Sequence, residues 1–299
     1  MKKPEIKIYK AFGSKDRALI MGHLFKSEQL NKSRVSKNIF KNALEMVKRY
    51  KVKPWKRKNI IIEIGKEKYN VTTDRSGYFD LIFTPSSRDS GQIKFRVYLD
   101  SDQHVNASGM LSVIEPSEIF ISDFDDTIVV SHSTSLIRKI YTLLSRNHER
   151  RKPVEGARQL YHRLYHSNQD QLFIYVSSSE WNLYDFINDF CEFNKLPKGY
   201  FLLQDLKSGW GDLIKSGGGS HNHKYDKIML VSEIFSKAKI TLIGDSGQKD
   251  PKIYEKVAMS APDRIKNIYI RSIKSRKQYK LEAMKERMEK IGVKMNYFE

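Results

Sequence analysis

The sequence has little cysteine, no long apolar run and few acidic residues for its number of basic ones. Cys191 is the single cysteine among 299 residues, which excludes an internal disulfide and a zinc site built from several cysteines. No stretch reaches the roughly 20 apolar residues that a membrane-spanning helix needs. Residues 1–7 lack the apolar segment of a secretory signal peptide. We therefore expect a protein of the cytoplasm.

The basic residues are concentrated at the start of the chain. Lys and Arg number 54 against 35 Asp and Glu, which gives a net charge of +19. Residues 1–58 contain 18 of the basic and 4 of the acidic residues, so 14 of the net positive charges lie there. Such a field attracts polyanions. The expected partner is anionic phospholipid, with the protein peripheral at the inner membrane surface. Nucleic acid is the less favoured partner, and a solvated basic face is the third reading.

Residues 1–115 are predicted to form a small β-sandwich. Short runs rich in β-branched and aromatic residues recur there, as in antiparallel sheets. The runs are Ile6–Tyr9, Ala18–Met21, Ile60–Ile64, Tyr78–Phe83 and Phe95–Leu99. Within residues 38–51, apolar residues recur at helical spacing among lysines, which predicts one inserted basic helix. Its apolar face has two open roles, which are binding lipid and covering the sandwich.

Residues 116–274 are predicted to form an α/β domain with a doubly wound parallel sheet, because strand and helix patterns alternate there. The predicted strands are Ile119–Ser122, Leu172–Val176, Phe201–Leu203, Ile240–Ile243 and Ile268–Ile270. The predicted helices are Leu136–Leu144, Ala157–Tyr165, Leu183–Cys191 and Lys224–Phe235. A glycine-rich loop is expected at 208–223, and residues 275–299 are predicted to be a basic helical tail. Ligands of such sheets bind at the carboxyl ends of the strands.

An acidic cluster, Asp123-Phe124-Asp125-Asp126-Thr127, follows the first predicted strand of this domain. Burying carboxylates beside a core strand is costly unless a cation or hydrogen bonds compensate them. A calcium loop of the EF-hand type is one alternative, but it needs Gly at its sixth and Glu at its twelfth position. Ile128 and Thr134 stand there, so the calcium loop is disfavoured.

A second acidic segment, Gly244-Asp245-Ser246-Gly247-Gln248-Lys249-Asp250, follows the strand at 240–243. Acidic residues at the carboxyl ends of neighbouring strands would form an oxygen-rich site suited to Mg²⁺. The alternative is that Asp245 or Ser246 only caps the next helix. Capping explains one such residue well, but it explains the coincidence of two clusters poorly.

Two further segments add candidates for a phosphate site. The strand at 172–176 runs into Ser177-Ser178-Ser179 before a predicted helix, and hydroxyl and backbone N–H groups at a helix N-terminus bind phosphate. His223-Lys224 begins the helix after the glycine-rich loop, where the lysine would compensate the charge of a phosphoryl oxygen. Arg271, which ends a strand, is another candidate for the substrate phosphate, with a surface salt bridge as the alternative.

These four segments, in this order, resemble the haloacid dehalogenase-like superfamily: D-x-D-x-T, a strand ending in Ser or Thr, a Lys, and G-D-x-x-x-x-D. The resemblance implies Asp123 as the nucleophile, Asp125 as the general acid and base, and Thr127 as the residue that orients Asp125. It implies that Ser177 binds the phosphoryl group and that Lys224 pairs with Asp123. The implied Mg²⁺ site takes in Asp123 and Asp125, with Asp245 as a direct ligand and Asp250 in support. Ser178 is a further phosphate candidate.

Residues 113 to 272 resemble more closely the actin-patch-associated phosphatidate phosphatase family of fungi and bacteria, on the segments 123–127, 175–184, 223–224, 244–254 and 268–271. Phe124 and Glu180 depart from the usual family residues. The resemblance implies hydrolysis of phosphatidate to diacylglycerol and phosphate. Only about 45 residues separate Thr127 from Leu172, so any cap domain is small. The alternatives are a nucleic-acid end phosphatase or other phosphomonoesterase, and a non-catalytic lipid-binding protein.

Overall fold

A computed structural model describes eight stretches of the chain. These are residues 3–26, 53–86, 91–124, 155–165, 170–204, 222–247, 249–271 and 278–298. The chain divides into two compact units, of which the first ends at Glu115 and the second begins at Pro116. The predicted helices at 38–51 and 136–144 and most of the glycine-rich segment, 208–221, lie outside the described residues. No helix in the described stretches is long and apolar enough to cross a membrane.

The first unit is built from strands. They are β1 (Glu5–Ile8), β2 (Ala11–Gly13), β3 (Ala18–Phe25), β4 (Asn59–Ile64), β5 (Glu67–Thr72), β6 (Tyr78–Phe83), β7 (Gly91–Leu99) and β8 (Asp102–Val113). All five predicted runs are strands. Hydrogen bonding among the described residues joins the eight strands into one sheet, in the order β1-β3-β2-β8-β7-β4-β5 with β6 on β3. The two-layered sandwich therefore stays a prediction.

The core of this unit follows the alternation of side chains along the strands. Strand β4 buries every second residue, Ile60, Ile62 and Ile64, as a strand with one face on a core does. In contrast, β3 is buried along its whole length. At Gly22, a Cβ atom would lie 2.3 Å from the Phe79 ring and 2.4 Å from the Lys7 carbonyl oxygen. Glycine is therefore required at this position of β3, because residues of β1 and β6 both pack closely against it.

The second unit alternates strands and helices. Its strands are β9 (Glu118–Asp123), β10 (Gln171–Glu180), β11 (Gly199–Gln204), β12 (Lys239–Asp245), β13 (Ile265–Arg271) and β14 (Lys294–Phe298). Its described helices are α1 (Glu155–Tyr165), α2 (Tyr184–Phe193), α3 (Asn222–Ile234), α4 (Asp250–Ser260) and α5 (Gln278–Lys290). All five predicted strands are present, and the three predicted helices that fall in described stretches match α1, α2 and α3.

The six strands form one parallel sheet in the order β11-β10-β9-β12-β13-β14. The chain first builds outward from β9 to β11, then returns to the other side of β9 and builds outward again from β12. The fold is thus mixed α/β with a parallel sheet, and its strand order is compatible with a doubly wound fold. In such sheets the ligand site lies where the order reverses, which is here between the carboxyl ends of β9 and β12.

The C-terminal segment differs from the prediction of a separate basic helical tail. Residues 278–290 are helical as predicted, but the chain continues into β14, which pairs in parallel with β13 from Asn267 to Arg271. Five apolar side chains of α5, β14 and the turn between them are buried: Leu281, Met284, Met288, Val293 and Met295. The sequence pattern hid this because β14 has only five residues and follows a highly charged helix. Residues 278–298 therefore belong to the sheet of the second unit.

If the C-terminal segment is part of this domain, then removing a buried side chain from it should destabilise the whole unit. Met288 is fully buried, whereas Met259 is 49% exposed. We expect Met288→Ala to lower the free energy of unfolding by about 2–5 kcal/mol and Met259→Ala to change it by about 0.5 kcal/mol or less. Urea unfolding followed by circular dichroism would measure both. Equal effects of the two substitutions would contradict this assignment.

Candidate active site

The sheet register brings two acidic residues to the point where the strand order reverses. Asp123 is the last residue of β9 and lies opposite Val176 of β10. On the other side of β9, Ile243 pairs with Ser122, so that Asp245 ends β12 two residues further on. Both carboxylates therefore leave the same edge of the sheet, as the sequence analysis expected for the carboxyl ends of parallel strands.

A third carboxylate joins them from helix α4, which begins at Asp250. Asp123, Asp245 and Asp250 are 1%, 0% and 0% exposed, and one carboxylate oxygen of each lies within 4.8 Å of the others. Oxygen atoms gathered at this spacing are the ligand set that hard divalent cations prefer. These three residues could hold such a cation.

Lys224 of α3 is the buried cation beside these carboxylates. Its Nζ lies 2.8 Å from Asp123 Oδ1 and 2.6 Å from Asp250 Oδ1. Burial by itself lowers the pKa of Lys224, but the charges of Asp123 and Asp250 outweigh that effect and raise it above its ordinary value. The lysine is therefore charged at neutral pH and bridges residues that come from β9 and α4.

The charges of these four side chains do not balance. Three carboxylates and one ammonium leave two negative charges in a buried space. This excess of negative charge disfavours the ionised form of Asp250. Burial and the neighbouring Asp245 raise the pKa of Asp250, and the lowering effect of Lys224 does not cancel that rise. A divalent cation at the carboxylate oxygens would neutralise the remaining charge, so the donor set fits one in charge as well as in ligand type.

The turn after β12 fixes the second acidic pair. The backbone N–H of Gly247 donates to Asp245 Oδ1 over 2.6 Å, and the N–H of Asp245 lies 3.4 Å from Asp250 Oδ2. Lys249 occupies the N-cap position of α4 and makes no side-chain cap hydrogen bond. The N-cap residue of α4 is thus neither Asp245 nor Ser246, the two considered for that position. Asp245 closes the turn, and the Ser246 backbone N–H donates to the Arg271 carbonyl.

The serine segment differs in part from its prediction. Strand β10 continues through Ser177, Ser178 and Ser179 with a register irregularity, and a 3-10 turn precedes α2. The three hydroxyls thus lie on a strand rather than at a helix N-terminus, because α2 begins only at Tyr184. Ser177 is buried, accepts a bond from the Ser179 N–H over 2.9 Å, and follows the residue opposite Asp123. Ser178 is exposed.

Of the remaining candidates, some lie within the described residues and some outside them. Arg271 ends β13 directly opposite Asp245 and is half-buried, so it lies at the same sheet edge as the carboxylates. Asp125 and Thr127 lie outside the described residues, and their roles stay predictions. His223 lies 2.8 Å from the Lys227 ammonium through its Nε2. Burial and the charges of Lys227 and Lys224 lower the pKa of His223 to about 3, which keeps it neutral.

Comparison with known proteins assigns this site to a family. The family model described as phosphatidate phosphatase APP1, catalytic domain, matches residues 119–272. That range runs from the second residue of β9 through β13 and contains all the carboxylates of the cluster, and it covers half of the chain. The chain belongs to this family. The sequence resemblance to phosphatidate phosphatases of the actin-patch-associated type is thereby confirmed.

Two curated proteins are similar to the chain in sequence. The chain is 30% identical over 155 residues to phosphatidate phosphatase APP1 of Saccharomyces cerevisiae, which covers 50% of this chain and 25% of that protein. It is 25% identical over 218 residues to an uncharacterized protein of Schizosaccharomyces pombe, which covers 69% and 35%. The chain thus spans about a quarter to a third of the length of these relatives. A carbohydrate acetylesterase of Xanthomonas citri is a distant structural match, with a TM-score of 0.35 at 9% identity over 99% of this chain and 68% of that one.

Two tyrosines that no sequence pattern indicated support the strand ends of the site. Tyr161 of α1 hydrogen-bonds to Ser122 Oγ, next to Asp123, and Tyr254 of α4 donates to the Ile243 carbonyl over 2.8 Å. Both tyrosines are buried. The available signal was the spacing of Tyr254, which follows Asp250 by one helical turn and so shares its face of α4.

Replacing Lys224 with an apolar residue tests the charge arrangement. In EDTA at pH 7, Lys224→Met should lower the free energy of unfolding by about 3–5 kcal/mol, because buried carboxylates lose their cation. The loss should shrink at pH 5, because Lys224 is the main group that lowers the pKa of Asp250. Without Lys224, the folded variant takes up a proton at Asp250 more readily than the folded wild type does. Lys256→Met, at an exposed lysine over the Tyr225 ring, is the control, and equal losses for both variants would refute the bridge.

Proposed function

We propose that the chain is a phosphoric monoester hydrolase that uses Asp123 as nucleophile, requires Mg²⁺ and acts on phosphatidate. The observation that carries this proposal is the buried Asp123 carboxylate, held 2.8 Å from Lys224 within 4.8 Å of Asp245 and Asp250 oxygens, in a chain of the APP1 catalytic-domain family. The pattern within the haloacid dehalogenase-like superfamily supplies the roles of the residues outside the described stretches.

In the first step, one Asp123 oxygen attacks phosphorus, the bond to the ester oxygen breaks, and Asp125 donates a proton to the departing alkoxide. The product is an aspartyl-phosphate on Asp123 and a free alcohol. In the second step, Asp125 takes a proton from water, whose oxygen attacks phosphorus and releases inorganic phosphate and the Asp123 carboxylate. Both steps conserve charge and protons without an external oxidant or reductant.

Lys224 has two tasks in these steps. Its bond to Asp123 Oδ1 fixes the carboxylate, so that the other oxygen is the one presented to phosphorus. Its positive charge also reduces the repulsion between an anionic nucleophile and an anionic ester. Mg²⁺ bound by Asp123, Asp245 and Asp250 would supply the remaining positive charge for the phosphoryl oxygens. Ser177 and Arg271, at the same sheet edge, are the proposed phosphate contacts.

Phosphatidate is the proposed substrate because the family model and the yeast relative both carry that description. The basic N-terminal region is the proposed membrane partner surface. In its described part, Lys53, Lys56 and Arg57 are exposed around the half-buried Trp55. Each basic residue near an anionic membrane contributes about 1 kcal/mol to binding. The proposed location is the cytoplasm, at the inner membrane surface.

One panel of phosphate esters tests the activity. Phosphatidate in mixed micelles, oligonucleotides with 5′ or 3′ phosphate, and a small chromogenic ester would be offered with Mg²⁺ or with EDTA. We expect turnover of phosphatidate only with Mg²⁺, and a loss of about 10³-fold or more in Asp123→Asn. Asp226→Asn, at an exposed carboxylate of α3, should keep wild-type turnover.

The alternatives are distinct outcomes of the same panel. Faster hydrolysis of oligonucleotides than of phosphatidate would replace the proposed substrate with a nucleic-acid end, to which a net charge of +19 is equally suited. If the wild-type protein hydrolyses no ester with Mg²⁺ but binds anionic vesicles in a separate flotation assay, the non-catalytic lipid-binding alternative would be established. Replacing Lys53, Lys56 and Arg57 with Gln should slow turnover in anionic vesicles only, and an unchanged vesicle rate would exclude that surface.

A further inference from the structure

Tyr254 connects helix α4 to strand β12 through a hydrogen bond close to the carboxylate cluster. Its hydroxyl donates to the Ile243 carbonyl oxygen over 2.8 Å, and its side chain is 2% exposed. Tyr254 lies four residues after Asp250, so both side chains project from the same face of α4, one turn apart. Ile243 in turn lies two residues before Asp245 on β12. The bond therefore joins the two elements that carry Asp250 and Asp245.

Gly244 allows this close approach. A Cβ atom at Gly244 would lie 2.7 Å from Asp250 Oδ2, 2.7 Å from Tyr254 Cε2 and 2.8 Å from the Tyr254 hydroxyl oxygen. Separations below 3 Å between such atoms are not tolerated without movement. The Asp250 carboxylate and the Tyr254 phenol thus border the same small space against the β12 backbone, and both are buried.

The phenol is suited to a fixed donor role. Burial, followed by the charges of Asp250 and Asp123, raises the pKa of Tyr254 well above its ordinary value, so the hydroxyl keeps its proton at neutral pH. The hydrogen bond holds the ring beside the space at Gly244 that the Asp250 carboxylate also borders. Since Asp250 Oδ1 bonds to Lys224, a shift of Asp250 would also move the ammonium that positions Asp123.

We propose that Tyr254 is a positioning residue for the cation site, whose bond to Ile243 sets the direction of the Asp250 carboxylate relative to Asp245 and Lys224. The inference rests on the proposed function only in naming Mg²⁺ as the cation. Groups that orient metal ligands without touching the metal typically change affinity by about 10–100-fold when they are removed. A Tyr254 that served only as core packing would leave that affinity unchanged.

Tyr175 offers a matched control within the same sheet. Its hydroxyl donates to a backbone carbonyl, that of Pro197, also over 2.8 Å, and it is equally buried. Burial raises its pKa as well, but the titratable neighbours that add to the shift are Cys191 and other tyrosines rather than the carboxylates of the site. Tyr254→Phe and Tyr175→Phe therefore remove the same kind of bond, one beside Asp250 and one away from it.

The test compares the two variants in the full chain. Calorimetric titration with MgCl₂ alone should give an affinity about 10-fold or more weaker in Tyr254→Phe and a wild-type affinity in Tyr175→Phe. With a small phosphate ester at saturating Mg²⁺, kcat should fall in Tyr254→Phe while KM stays unchanged. Both variants should lose similar stability to urea in EDTA, because the same bond type is lost.

A second pair of variants keeps the test decisive if Tyr254→Phe does not fold. Gly244→Ala crowds Asp250 and Tyr254, whereas Gly199→Ala crowds Tyr175 and the Phe173 carbonyl in the same way. We expect weaker Mg²⁺ binding in Gly244→Ala and a wild-type Mg²⁺ affinity in Gly199→Ala. Wild-type Mg²⁺ affinity in Tyr254→Phe or, if that variant does not fold, in Gly244→Ala would overturn the inference. An equal loss in the matched control, Tyr175→Phe or Gly199→Ala, would overturn it as well. A wild-type protein that binds Mg²⁺ but hydrolyses no ester would overturn only the proposed function.

Discussion

The buried ammonium of Lys224, bonded to both Asp123 and Asp250, is the interaction on which the rest of the site depends. Without it, three carboxylates would meet in a space from which water is largely excluded, at a cost of several kcal/mol for each uncompensated charge. With Lys224 present, two negative charges of the cluster remain uncompensated, which is the charge that one divalent cation would neutralise. The arrangement therefore lowers the stability of the fold and favours the binding of a divalent cation. Functional sites commonly show this trade-off between stability and activity.

The sheet topology explains how residues that are far apart in sequence meet at this lysine. The order β11-β10-β9-β12-β13-β14 puts the ends of β9 and β12 side by side, which brings Asp123 to Asp245. Helix α4 adds Asp250, and the absence of a side chain at Gly244 lets that helix approach. Tyr161 then bonds to the Ser122 hydroxyl on β9, and Tyr254 donates to the Ile243 backbone carbonyl on β12.

The sequence was sufficient for residues whose chemistry follows a strong pattern. Asp123, Asp245 and Asp250 stand after apolar strands, where burial of a charge demands a partner, and the structure brings them together. The pattern was insufficient for β8, a mostly polar strand of 12 residues whose pairing with β7 decides its conformation, and for β14. It also ended the predicted strand at Val176 and took the three serines that follow as leading into a helix, because alternation cannot show that β10 continues with an irregularity. Tyr254 was overlooked because a buried tyrosine on a helix looks like ordinary core until its hydroxyl partner is known.

The most direct test of the charge account is the free energy of unfolding in EDTA and in excess Mg²⁺, for wild type and for Asp245→Asn. A cation bound at 100 times its Kd should stabilise the wild type by about 2.7 kcal/mol. Asp245→Asn should be more stable than the wild type in EDTA, because one of the crowded charges is gone, and should gain less from Mg²⁺. A wild type that Mg²⁺ leaves unchanged, with Asp245→Asn less stable in EDTA, would contradict the account.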